Sequence, residues 1–400
     1  MKIGIDARMM GSKQAGLGRY VEQLVLGLLE QDKENEYVLF TNNGNTPCLP
    51  ATADTPLKRG FKIVEANIPW YSWQEQTKFK KIIDREKIDL MHFPHWNVPL
   101  FYNKPFVVTV HDLIMYHYPR QEASTHGPFV YWLKDLGHRL VLNHAVQKAK
   151  HIIVTSEFTK QDLHQTLGVS LEKMTVTYQA PFQNTIHDSH NTTQVLKKNN
   201  VEKPYVLYVG NAYPHKNLEG LLKSWKIFNE KYGNEYQLVL VGKKNFFYER
   251  LLKDQKIERS KDQEEKSGFS DLPIFRSSII FTDYVTDNEL SQLYVNASLY
   301  VFPSLYEGFG LPPLEAQQYN VPVVSSSASC LPEILGESAL YFDPENYEQM
   351  AEVIYTGLTN EDMRFELRQN ARENLKRFNL NNMISQTLLI YNNIVKLLHY

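Results

Sequence analysis

The chain has 400 residues, of which 42% are hydrophobic and 22% charged, and its formal net charge is −2. An ordinary domain has about 100–200 residues, so this length predicts two domains of similar size. The near-zero net charge argues against a protein that binds nucleic acid, because such domains are usually strongly basic. It still permits a local basic patch.

The cysteines and the apolar segments bear on the compartment. Cys48 and Cys330 fall in different predicted domains, which favours two free thiols in a reducing compartment over a disulfide or a metal site. The run Lys2–Ala7 is too short for a signal peptide and is typical of a first strand. No uninterrupted apolar stretch reaches the roughly 18–20 residues that span a bilayer. We therefore expect a cytoplasmic protein, with peripheral attachment to the inner face of the plasma membrane left open.

In the first half of the chain, short apolar runs alternate with amphipathic segments, which is the pattern of βαβ units around a parallel sheet. A helix is predicted over Tyr20–Leu29, where apolar residues recur at helical spacing. The predicted strands are Lys2–Ala7, Tyr37–Thr41, Lys62–Glu65, Leu90–Phe93, Phe106–Val110, Ile152–Thr155 and Thr175–Tyr178.

The composition changes in the middle of the chain. Gln183–Lys203 is rich in Asn, Thr, His and Lys, which predicts a linker between domains. A second βα series follows, interrupted by the highly charged segment Lys253–Ser270, which predicts a solvated helix or a mobile insertion. The strands predicted in this half are Tyr205–Gly210, Gln237–Gly242, Ile279–Thr282, Leu299–Phe302, Val321–Ser325 and Leu340–Phe342.

Two doubly wound α/β domains account for this order of elements most simply. We place the first domain at residues 1–188, the linker at 189–204 and the second domain at 205–378. Residues 379–400 contain the helical pattern of Met383–Leu398, and we predict a terminal helix there that returns to the first domain.

Ligands of open α/β sheets bind at the carboxyl ends of the strands, and the richest such segment is Glu307–Glu315. Gly308 and Gly310 allow close backbone approach, and the two prolines that follow suit the first turn of a helix. The amides of a helix start favour oxygen-rich, negative ligands. Glu307 precedes the turn and Glu315 lies about one turn inside the predicted helix, so both can face one ligand. Carboxylates suit neutral hydroxyls, which donate hydrogen bonds to them. The alternative is a Gly/Pro-rich loop with two solvated glutamates.

Three further segments follow predicted strands. Ala15–Tyr20 contains Gly16 and Gly18 in front of the predicted helix; a dinucleotide fingerprint is disfavoured, because Val21 occupies the place of its third glycine. His111 ends a strand that reads as buried and is either functional or a satisfied structural histidine, while Asp112 holds it or caps the next element. Gly210–Leu218 contains Lys216, whose alternative role is that of a surface lysine in a turn.

The segment Glu307–Glu315 resembles, almost letter for letter, the Glu-x7-Glu signature of family 4 glycosyltransferases, which are retaining enzymes of the GT-B fold. The resemblance continues through Val321–Ser325, Leu331–Ile334 and Ala339–Pro344. It implies two Rossmann-like doubly wound domains that face a central cleft, in which a nucleotide-diphosphate sugar binds. It also implies that no metal ion or other cofactor is bound, and the sequence offers no Asp-x-Asp at a strand end.

The resemblance assigns roles to individual residues. His111 contacts the transferred sugar, Lys216 compensates charge on the diphosphate leaving group, Glu307 orients sugar hydroxyls and Glu315 binds the ribose. The catalytic residues implied are His111, Lys216 and Glu307. The donor-binding residues implied are Gly16, Gly18, Asn211, Lys216, Tyr284, Val285, Glu307, Gly308, Phe309, Gly310, Leu311 and Glu315. We expect same-face substitution, with the leaving phosphate helping to deprotonate the acceptor, and assign no covalent nucleophile.

The chain departs from the family pattern at two positions. Asn211 stands where many members have an arginine. Lys216 must then compensate more of the diphosphate charge, or another cation such as Arg19 contributes. Asp283 stands where a glycine is common, in the loop that presents backbone groups to the base. This second departure leaves the identity of the base open.

The sugar is assigned from two segments that look most like bacterial mannosyltransferases of surface-polysaccharide assembly. They are Lys2–Arg8 with the Gly16 loop, and Tyr208–Asn211 with His215–Leu218. GDP-mannose is therefore the expected donor, with a UDP-hexose as the alternative, and a glycan or lipid-linked glycan is the acceptor. An epimerase of the same fold and a non-catalytic sugar-nucleotide-binding subunit are the rival functions.

Membrane contact is suggested by Trp70, Trp73 and Trp96 together with the basic and apolar segment Lys78–Ile83. The nearby acids Glu75, Asp84 and Glu86 weaken this suggestion. A partly buried helix is the interpretation that we favour for this segment.

Overall fold

The computed structural model describes residues 1–11, 15–42, 61–119, 127–182, 192–202, 204–251 and 278–398. The described residues fall into two compact units. The first comprises those of 1–119, 127–180 and 378–398, and the second comprises those of 181–377. Three predicted features lie outside the described residues: Cys48, the part of the predicted linker that precedes residue 192, and the charged segment 253–270.

The first unit is built on a seven-stranded parallel sheet with the strand order β3-β2-β1-β4-β5-β6-β7. Its helices are α1 to α5, a π-helical turn at Glu75–Phe79 and the terminal helix α13. The strands are β1 Lys2–Asp6, β2 Glu36–Thr41, β3 Phe61–Glu65, β4 Leu90–Phe93, β5 Phe106–Val110, β6 His151–Val154 and β7 Met174–Val176. The helices are α1 Ala15–Gln31, α2 Lys80–Arg85, α3 Ile114–His117, α4 Gly127–Lys148, α5 Glu157–Leu167 and α13 Leu380–Leu398.

The second unit is built on a six-stranded parallel sheet with the strand order β10-β9-β8-β11-β12-β13. Its strands are β8 Tyr205–Val209, β9 Gln237–Val241, β10 Ile279–Asp283, β11 Leu299–Phe302, β12 Val323–Ser326 and β13 Ala339–Phe342. Its helices are α6 Thr192–Lys198, α7 Leu218–Tyr232, α8 Asp287–Asn296, α9 Leu311–Gln318, α10 Leu331–Leu335, α11 Tyr347–Thr359 and α12 Glu361–Leu375. The prediction of two Rossmann-like doubly wound sheets is confirmed.

Both faces of the first sheet are covered by apolar side chains, which explains why its strands read as continuous apolar runs. Successive residues of a strand point to opposite faces. In β2, Val38 and Phe40 enter one core cluster, whereas Tyr37 and Leu39 enter the other. The second cluster also contains apolar residues of α1 and α13, so the terminal helix closes that face of the sheet.

The region predicted as a linker contains regular structure. Thr192–Lys198 forms α6, in which Val195 is buried and every other residue except Leu196 is polar. Thr192 Oγ1 donates to Gln292 Oε1 over 2.5 Å, and Lys198 pairs with Glu289, so α6 packs on α8 of the second unit. One buried valine in seven residues leaves too weak a periodicity for the sequence to indicate this helix.

The strand orders locate the ligand-binding edge of each sheet. The order reverses between β1 and β4 in the first unit and between β8 and β11 in the second. Ligands of open α/β sheets bind outside the carboxyl ends of the strands at such a switch point. We therefore expect the segments that follow β1, β4, β8 and β11 to contain the ligand-binding residues.

Candidate active site

Two loops of the second unit meet at its switch point. The loop after β8 contains a 3₁₀ turn at Pro214–Lys216, and the loop after β11 leads into α9. Leu305 N donates to His215 O over 2.7 Å, which joins the two loops directly. The side-chain amide of Asn217 donates to Pro303 O over 3.2 Å and to Pro344 O over 2.8 Å. These bonds hold the loop after β8 against the loops after β11 and β13.

Lys216 and Glu307 form an ion pair at this junction. Lys216 Nζ lies 2.6 Å from Glu307 Oε1, and their side chains are only 15% and 9% exposed. Lys216 Nζ also lies 5.4 Å from the centre of the Phe302 ring. The structure thus brings together two of the three residues that the sequence nominated as catalytic, one cation and one carboxylate with little solvent screening.

The Glu307–Glu315 segment adopts the loop-to-helix form that its glycines and prolines predict. Gly310 precedes α9 with φ +100°, and a Cβ there would lie 2.9 Å from a methyl carbon of Leu331, so both conformation and space favour glycine. Glu315 lies one turn inside α9, where Tyr294 Oη donates to its Oε2 over 3.4 Å. The first turn of a helix has N–H groups without intrahelical partners, but Pro312 and Pro313 have no N–H. In the first four residues of α9 only Leu311 and Leu314 therefore carry backbone donors, and both lie between the two carboxylates along the chain.

Serine and cysteine side chains support this loop from below. Glu307 N donates to Ser329 Oγ over 3.0 Å, and Cys330 Sγ donates to Phe309 O over 3.2 Å. Cys330 is a buried free thiol, and burial raises its pKa well above the ordinary range. It therefore acts as a neutral hydrogen-bond donor.

Buried tyrosines fix the direction of the peptide groups after β8. Tyr248 Oη donates to Gly210 O, and Tyr208 Oη donates to Asn211 O, each over 2.9 Å. In a planar trans peptide the C=O of one residue points opposite to the N–H of the next. The N–H groups of Asn211 and Ala212 therefore point away from the tyrosines, and neither has an acceptor among the described residues. Asn211 Oδ1 is likewise buried without a partner there.

The backbone conformation and hydrogen bonds of Asp283 explain how an aspartate fits where many family members have a glycine. Its φ of +65° is a conformation that glycine adopts freely and that Asp tolerates better than most residues. Its Oδ1 accepts from Lys244 N over 2.9 Å and from Tyr284 N over 2.8 Å. The bond from Lys244 N is the main reason why the pKa of Asp283 is lowered. The aspartate thus ties the loop after β9 to the loop after β10, where Tyr284 is exposed and Val285 is buried.

His111 follows β5 in the first unit and is held at both ring nitrogens. Nε2 lies 2.8 Å from Pro94 O, which can only accept, so Nε2 carries the proton. Nδ1 then accepts from the Gln179 side-chain amide over 2.9 Å. Burial lowers the pKa of His111 to about 4, despite the opposing effect of the Pro94 carbonyl. A sugar hydroxyl can reach a ring nitrogen only by replacing one of these partners. Asp112 Oδ1 accepts from Ile114 N over 2.9 Å, which is the capping alternative for that residue.

A buried chain of polar side chains connects the region of His111 with the terminal helix. The Tyr20 ring meets the His111 ring edge-on at 4.7 Å, and its Oη lies 3.2 Å from Thr109 Oγ1. Thr109 Oγ1 lies 2.8 Å from His92 Nε2, and His92 Nδ1 lies 2.5 Å from Tyr391 Oη on α13. The sequence analysis missed this chain, because its members come from four elements and share no motif.

The prediction that Gly16 and Gly18 lie in a loop before the helix is wrong. Helix α1 begins at Ala15 and contains both glycines in its first turn. Leu17 packs against the core, which extends the apolar face of the helix one turn towards the N-terminus. N–H groups of a first helical turn lack intrahelical partners, so the segment still presents backbone donors after β1.

A buried ion cluster after β1 was also missed. Arg8 donates to both carboxylate oxygens of Asp6 over 2.7 and 2.8 Å, and to Glu75 Oε1 over 2.6 Å. Its guanidinium lies over the rings of Phe79 and Trp70 at 3.8 and 4.1 Å. The sequence indicated Glu75 only as an acid that weakens the case for membrane contact, whereas the side chain is fully buried. A contact between residues 67 positions apart leaves no local pattern to detect.

The segment proposed for membrane contact is the partly buried helix that we favoured. Phe79 and Ile83 are buried, as is Trp96, whereas Trp73 is 73% exposed. The three tryptophans therefore do not share one exposed face. Within the part of the chain that the structure describes, no helix is long and apolar enough to cross a bilayer. The same residues contain no group of three or more His, Cys, Asp or Glu side chains placed to hold a metal ion.

Two family models match consecutive parts of the chain. Residues 15–180 match the model described as Glycosyltransferase Family 4, and residues 191–374 match the model described as Glycosyl transferases group 1. The O-antigen chain mannosyltransferase RfbU of Salmonella typhimurium is 27% identical over 69% of this chain and 67% of its own length. The O-antigen chain mannosyltransferase B of Escherichia coli is 27% identical over 76% of this chain and 74% of its own.

Solved structures show the same fold over nearly the whole chain. Sucrose-phosphate synthase of Thermosynechococcus elongatus superposes with a TM-score of 0.71 at 19% identity, covering 99% of both chains. Anabaena HepE in complex with UDP and glucose superposes with a TM-score of 0.69 at 16% identity, covering 98% of this chain and 99% of that one. These solved structures show that the chain has the GT-B fold. The two family models together establish that the chain belongs to the glycosyltransferases, with a Family 4 part and a group 1 part.

Proposed function

We propose that the protein is a retaining, metal-independent mannosyltransferase that transfers mannose from GDP-mannose to a glycan or lipid-linked glycan. The observation that carries the proposal is the Lys216–Glu307 pair at the switch point of the second sheet, 2.6 Å apart. It combines a cation for a diphosphate with a carboxylate for sugar hydroxyls. The choice of mannose is supported by the sequence likeness to O-antigen chain mannosyltransferases of Salmonella typhimurium and Escherichia coli.

In this proposal the leaving diphosphate is stabilised by fixed positive groups. Lys216 binds it, together with the N–H groups of Asn211 and Ala212 and the N–H of Leu311 at the start of α9. When the diphosphate replaces Glu307 as the partner of Lys216, the Glu307 carboxylate can accept hydrogen bonds from the sugar hydroxyls. The two N–H groups supply part of the positive potential that an arginine supplies where many family members carry one. Fixed peptide dipoles act strongly where solvent is excluded.

The remaining donor contacts follow the order of the loops. Glu315 accepts from a ribose hydroxyl, and the backbone at Tyr284 and Val285 lies against the base. The loop held by Asp283 gives this backbone its form. His111 contacts the transferred sugar, with a sugar hydroxyl replacing the Gln179 amide at Nδ1. Gly16 and Gly18 present the first-turn amides of α1 towards the donor.

The transfer itself is a substitution at the anomeric carbon. The acceptor oxygen forms the new bond from the face that the diphosphate leaves, and the bond between the anomeric carbon and the phosphate oxygen breaks. The electron pair stays on the diphosphate, one oxygen of which takes the acceptor proton. The anomeric configuration is thereby kept without a covalent enzyme intermediate. A lipid-linked acceptor would bring a cytoplasmic enzyme to a membrane surface.

A donor panel tests the proposal. Thermal unfolding is measured with GDP-mannose, UDP-glucose, UDP-N-acetylglucosamine and the bare nucleotides, because stabilisation grows with the ratio of ligand concentration to dissociation constant. We expect GDP-mannose to give the largest shift and transfer to be unaffected by EDTA. A larger shift with a UDP-hexose would favour the alternative donor. A product formed from the donor without acceptor or water would identify an epimerase, and no shift with any donor would favour a non-catalytic subunit.

A further inference from the structure

We propose that Tyr71, Trp96 and His138 of the first unit form a subsite that binds a hexose ring of the acceptor glycan. We call these three side chains the aromatic cluster. The inference rests on the proposed function, because it names the chemical class that the acceptor presents to the enzyme. None of its three residues belongs to the segments that resemble the glycosyltransferase family.

The aromatic cluster lies where the topology of the first sheet favours a ligand. Trp96 belongs to the segment that follows β4, one of the two strands at the switch point. The carbonyl of Pro94 in that segment lies 2.8 Å from His111 Nε2. The segment that carries Trp96 is therefore bonded directly to the residue that we expect to contact the transferred sugar. An acceptor must reach the same sugar.

The three rings of the aromatic cluster pack against one another at steep angles of 47–71°, and the Tyr71 ring is partly exposed. The Tyr71 ring centre lies 5.0 Å from that of His138 and 5.9 Å from that of Trp96, and the latter two are 6.0 Å apart. Tyr71 is 51% exposed, whereas Trp96 is only 8% exposed, so a ligand would contact the Tyr71 ring more than the Trp96 ring. A hexose has an apolar face of C–H groups and a rim of hydroxyls. Aromatic rings that combine an apolar body with a polar edge match both parts.

The backbone of Tyr71 is held in a conformation that a bulky residue rarely adopts. Its φ is +55°, in the left-handed region. The buried Glu75 maintains this turn, because its Oε2 accepts from Tyr71 N over 2.9 Å and from the Asn97 amide over 2.7 Å. Glu75 Oε1 accepts from Arg8 over 2.6 Å. One carboxylate therefore ties the Tyr71 turn to the segments after β1 and β4.

The local geometry resembles that of ligand sites in general. Glu75 opens a π-helical turn, Glu75–Phe79. π-Helical turns are rare in proteins, and those that occur are often found at functional sites. Strained backbone conformations that the surrounding structure maintains also cluster at such sites. An exposed tyrosine kept in a strained conformation by a buried ion cluster is difficult to explain by stability alone. A requirement to present its ring explains it.

The chemistry of the aromatic cluster favours a neutral ligand. Burial lowers the pKa of His138, so this ring is neutral at neutral pH and can both donate to and accept from hydroxyls. Arg8 is the cation beneath the turn, and it is fully buried and bonded to Asp6 and Glu75. It is therefore not available to an anionic group. A sugar ring satisfies these conditions better than a phosphate or an acidic peptide does.

The test separates the acceptor subsite from the donor site. The probes are methyl α-mannoside, methyl α-glucoside and methyl N-acetyl-α-glucosaminide, used with the donor that the panel identifies. Tyr71→Asn removes the ring but keeps a residue that tolerates a positive φ, and Tyr71→Phe keeps the ring. Phe101→Ala is the matched control, because Phe101 is 52% exposed in the same unit and outside the aromatic cluster.

We expect Tyr71→Asn to raise the KM of the preferred glycoside at least tenfold, with an unchanged donor KM and unchanged hydrolysis of the donor by water. Tyr71→Phe should stay within about threefold of the wild type, and Phe101→Ala should match it. His138→Ala, on a different element, should also raise the acceptor KM. An acceptor KM that is unchanged in both Tyr71→Asn and His138→Ala would overturn the proposal.

A binding measurement keeps this result distinct from failure of the proposed function. Saturation-transfer difference NMR with the methyl glycosides requires no donor and no turnover. Signals from the C–H protons of the probe with the wild type, lost in Tyr71→Asn and kept in Phe101→Ala, would support the subsite even if no donor were turned over. Equal signals in the wild type and Tyr71→Asn would contradict it, whichever donor proved to be the substrate.

Discussion

The orientation of the amides after β8 gives a prediction with a magnitude. The perturbation is Tyr248→Phe, Tyr208→Phe or both, each of which removes one hydroxyl and nothing else. Tyr248 and Tyr208 are almost fully buried, and their hydroxyls hold the carbonyls of Gly210 and Asn211. A buried carbonyl that loses its partner costs about 1–3 kcal/mol of stability. Released carbonyls can turn, and the N–H groups of the same peptides turn with them.

The cost to donor binding follows from those two N–H groups. A hydrogen bond to a charged group contributes about 1.5–3 kcal/mol, and the loss of about 1.4 kcal/mol is a factor of ten in affinity. Losing one such bond outright would weaken binding more than tenfold, but a released peptide group can still reach the phosphate part of the time. We therefore expect each single variant to weaken binding of the nucleoside diphosphate by about threefold to tenfold, and the double variant by more. Binding of the nucleoside without phosphates should not change, because the tyrosines support the phosphate loop only.

The assay is isothermal titration calorimetry with the diphosphate, the monophosphate and the nucleoside of the preferred donor. Tyr205→Phe is the matched control, because Tyr205 is an equally buried tyrosine on β8 whose hydroxyl donates to the distant Leu293 O over 2.6 Å. It should lower stability without weakening diphosphate binding. Equal losses for nucleoside and diphosphate, or the same loss in Tyr205→Phe, would refute the reasoning.

Three further predictions concern stability and the base loop. Gly242→Ala places a Cβ 1.9 Å from Gly210 O, which should lower the unfolding free energy by about 1–3 kcal/mol in urea titrations, whereas Gly137→Ala meets open space and should not. Burial, and secondly His111, lowers the pKa of His92 to about 3. In the unfolded chain the same imidazole has a pKa of about 6.5, so as the pH falls the unfolded state binds the proton before the folded state does. Stability should therefore fall by about 1.4 kcal/mol per pH unit below about pH 6.5, and His92→Gln should lose that share of the slope; an unchanged slope would contradict the assignment. Asp283→Ala should weaken donor binding in calorimetry, whereas Asp283→Asn keeps an acceptor oxygen and tolerates the positive φ; equal affinities in the two variants would argue against the loop-tying role.

Much of the fold was predictable because parallel strands buried on both faces carry their own signal. The continuous apolar runs of β5 and β9 can be read without any knowledge of their neighbours. The same is true of the loop-to-helix form at Gly310 and α9, since glycine and proline act locally. Helix α6 was missed because one buried valine is too weak a signal.

The pairing of Lys216 with Glu307 was predictable from the sequence, whereas the contacts that support these residues were not. Lys216 and Glu307 each follow a strand of the switch point, and the fold alone brings such loops together. The tyrosine bonds to Gly210 and Asn211 and the Arg8–Glu75 pair join residues that no short motif connects. The start of α1 was misplaced because glycine lowers helix propensity, whereas packing of Leu17 decides the boundary.

The central claim is that Lys216 and Glu307 bind and cleave a nucleotide-diphosphate sugar. Its most direct measurement is donor turnover, followed by NMR of the anomeric proton, in the wild type, Glu307→Ala and Lys216→Ala. Lys231→Ala is the control, because it removes an ion pair of the same unit that is half exposed. The account predicts an α-linked product in the wild type, no transfer in Glu307→Ala despite a folded protein, weakened diphosphate binding in Lys216→Ala and normal turnover in Lys231→Ala. Turnover like that of the wild type in Glu307→Ala, or unchanged diphosphate affinity in Lys216→Ala, would contradict it.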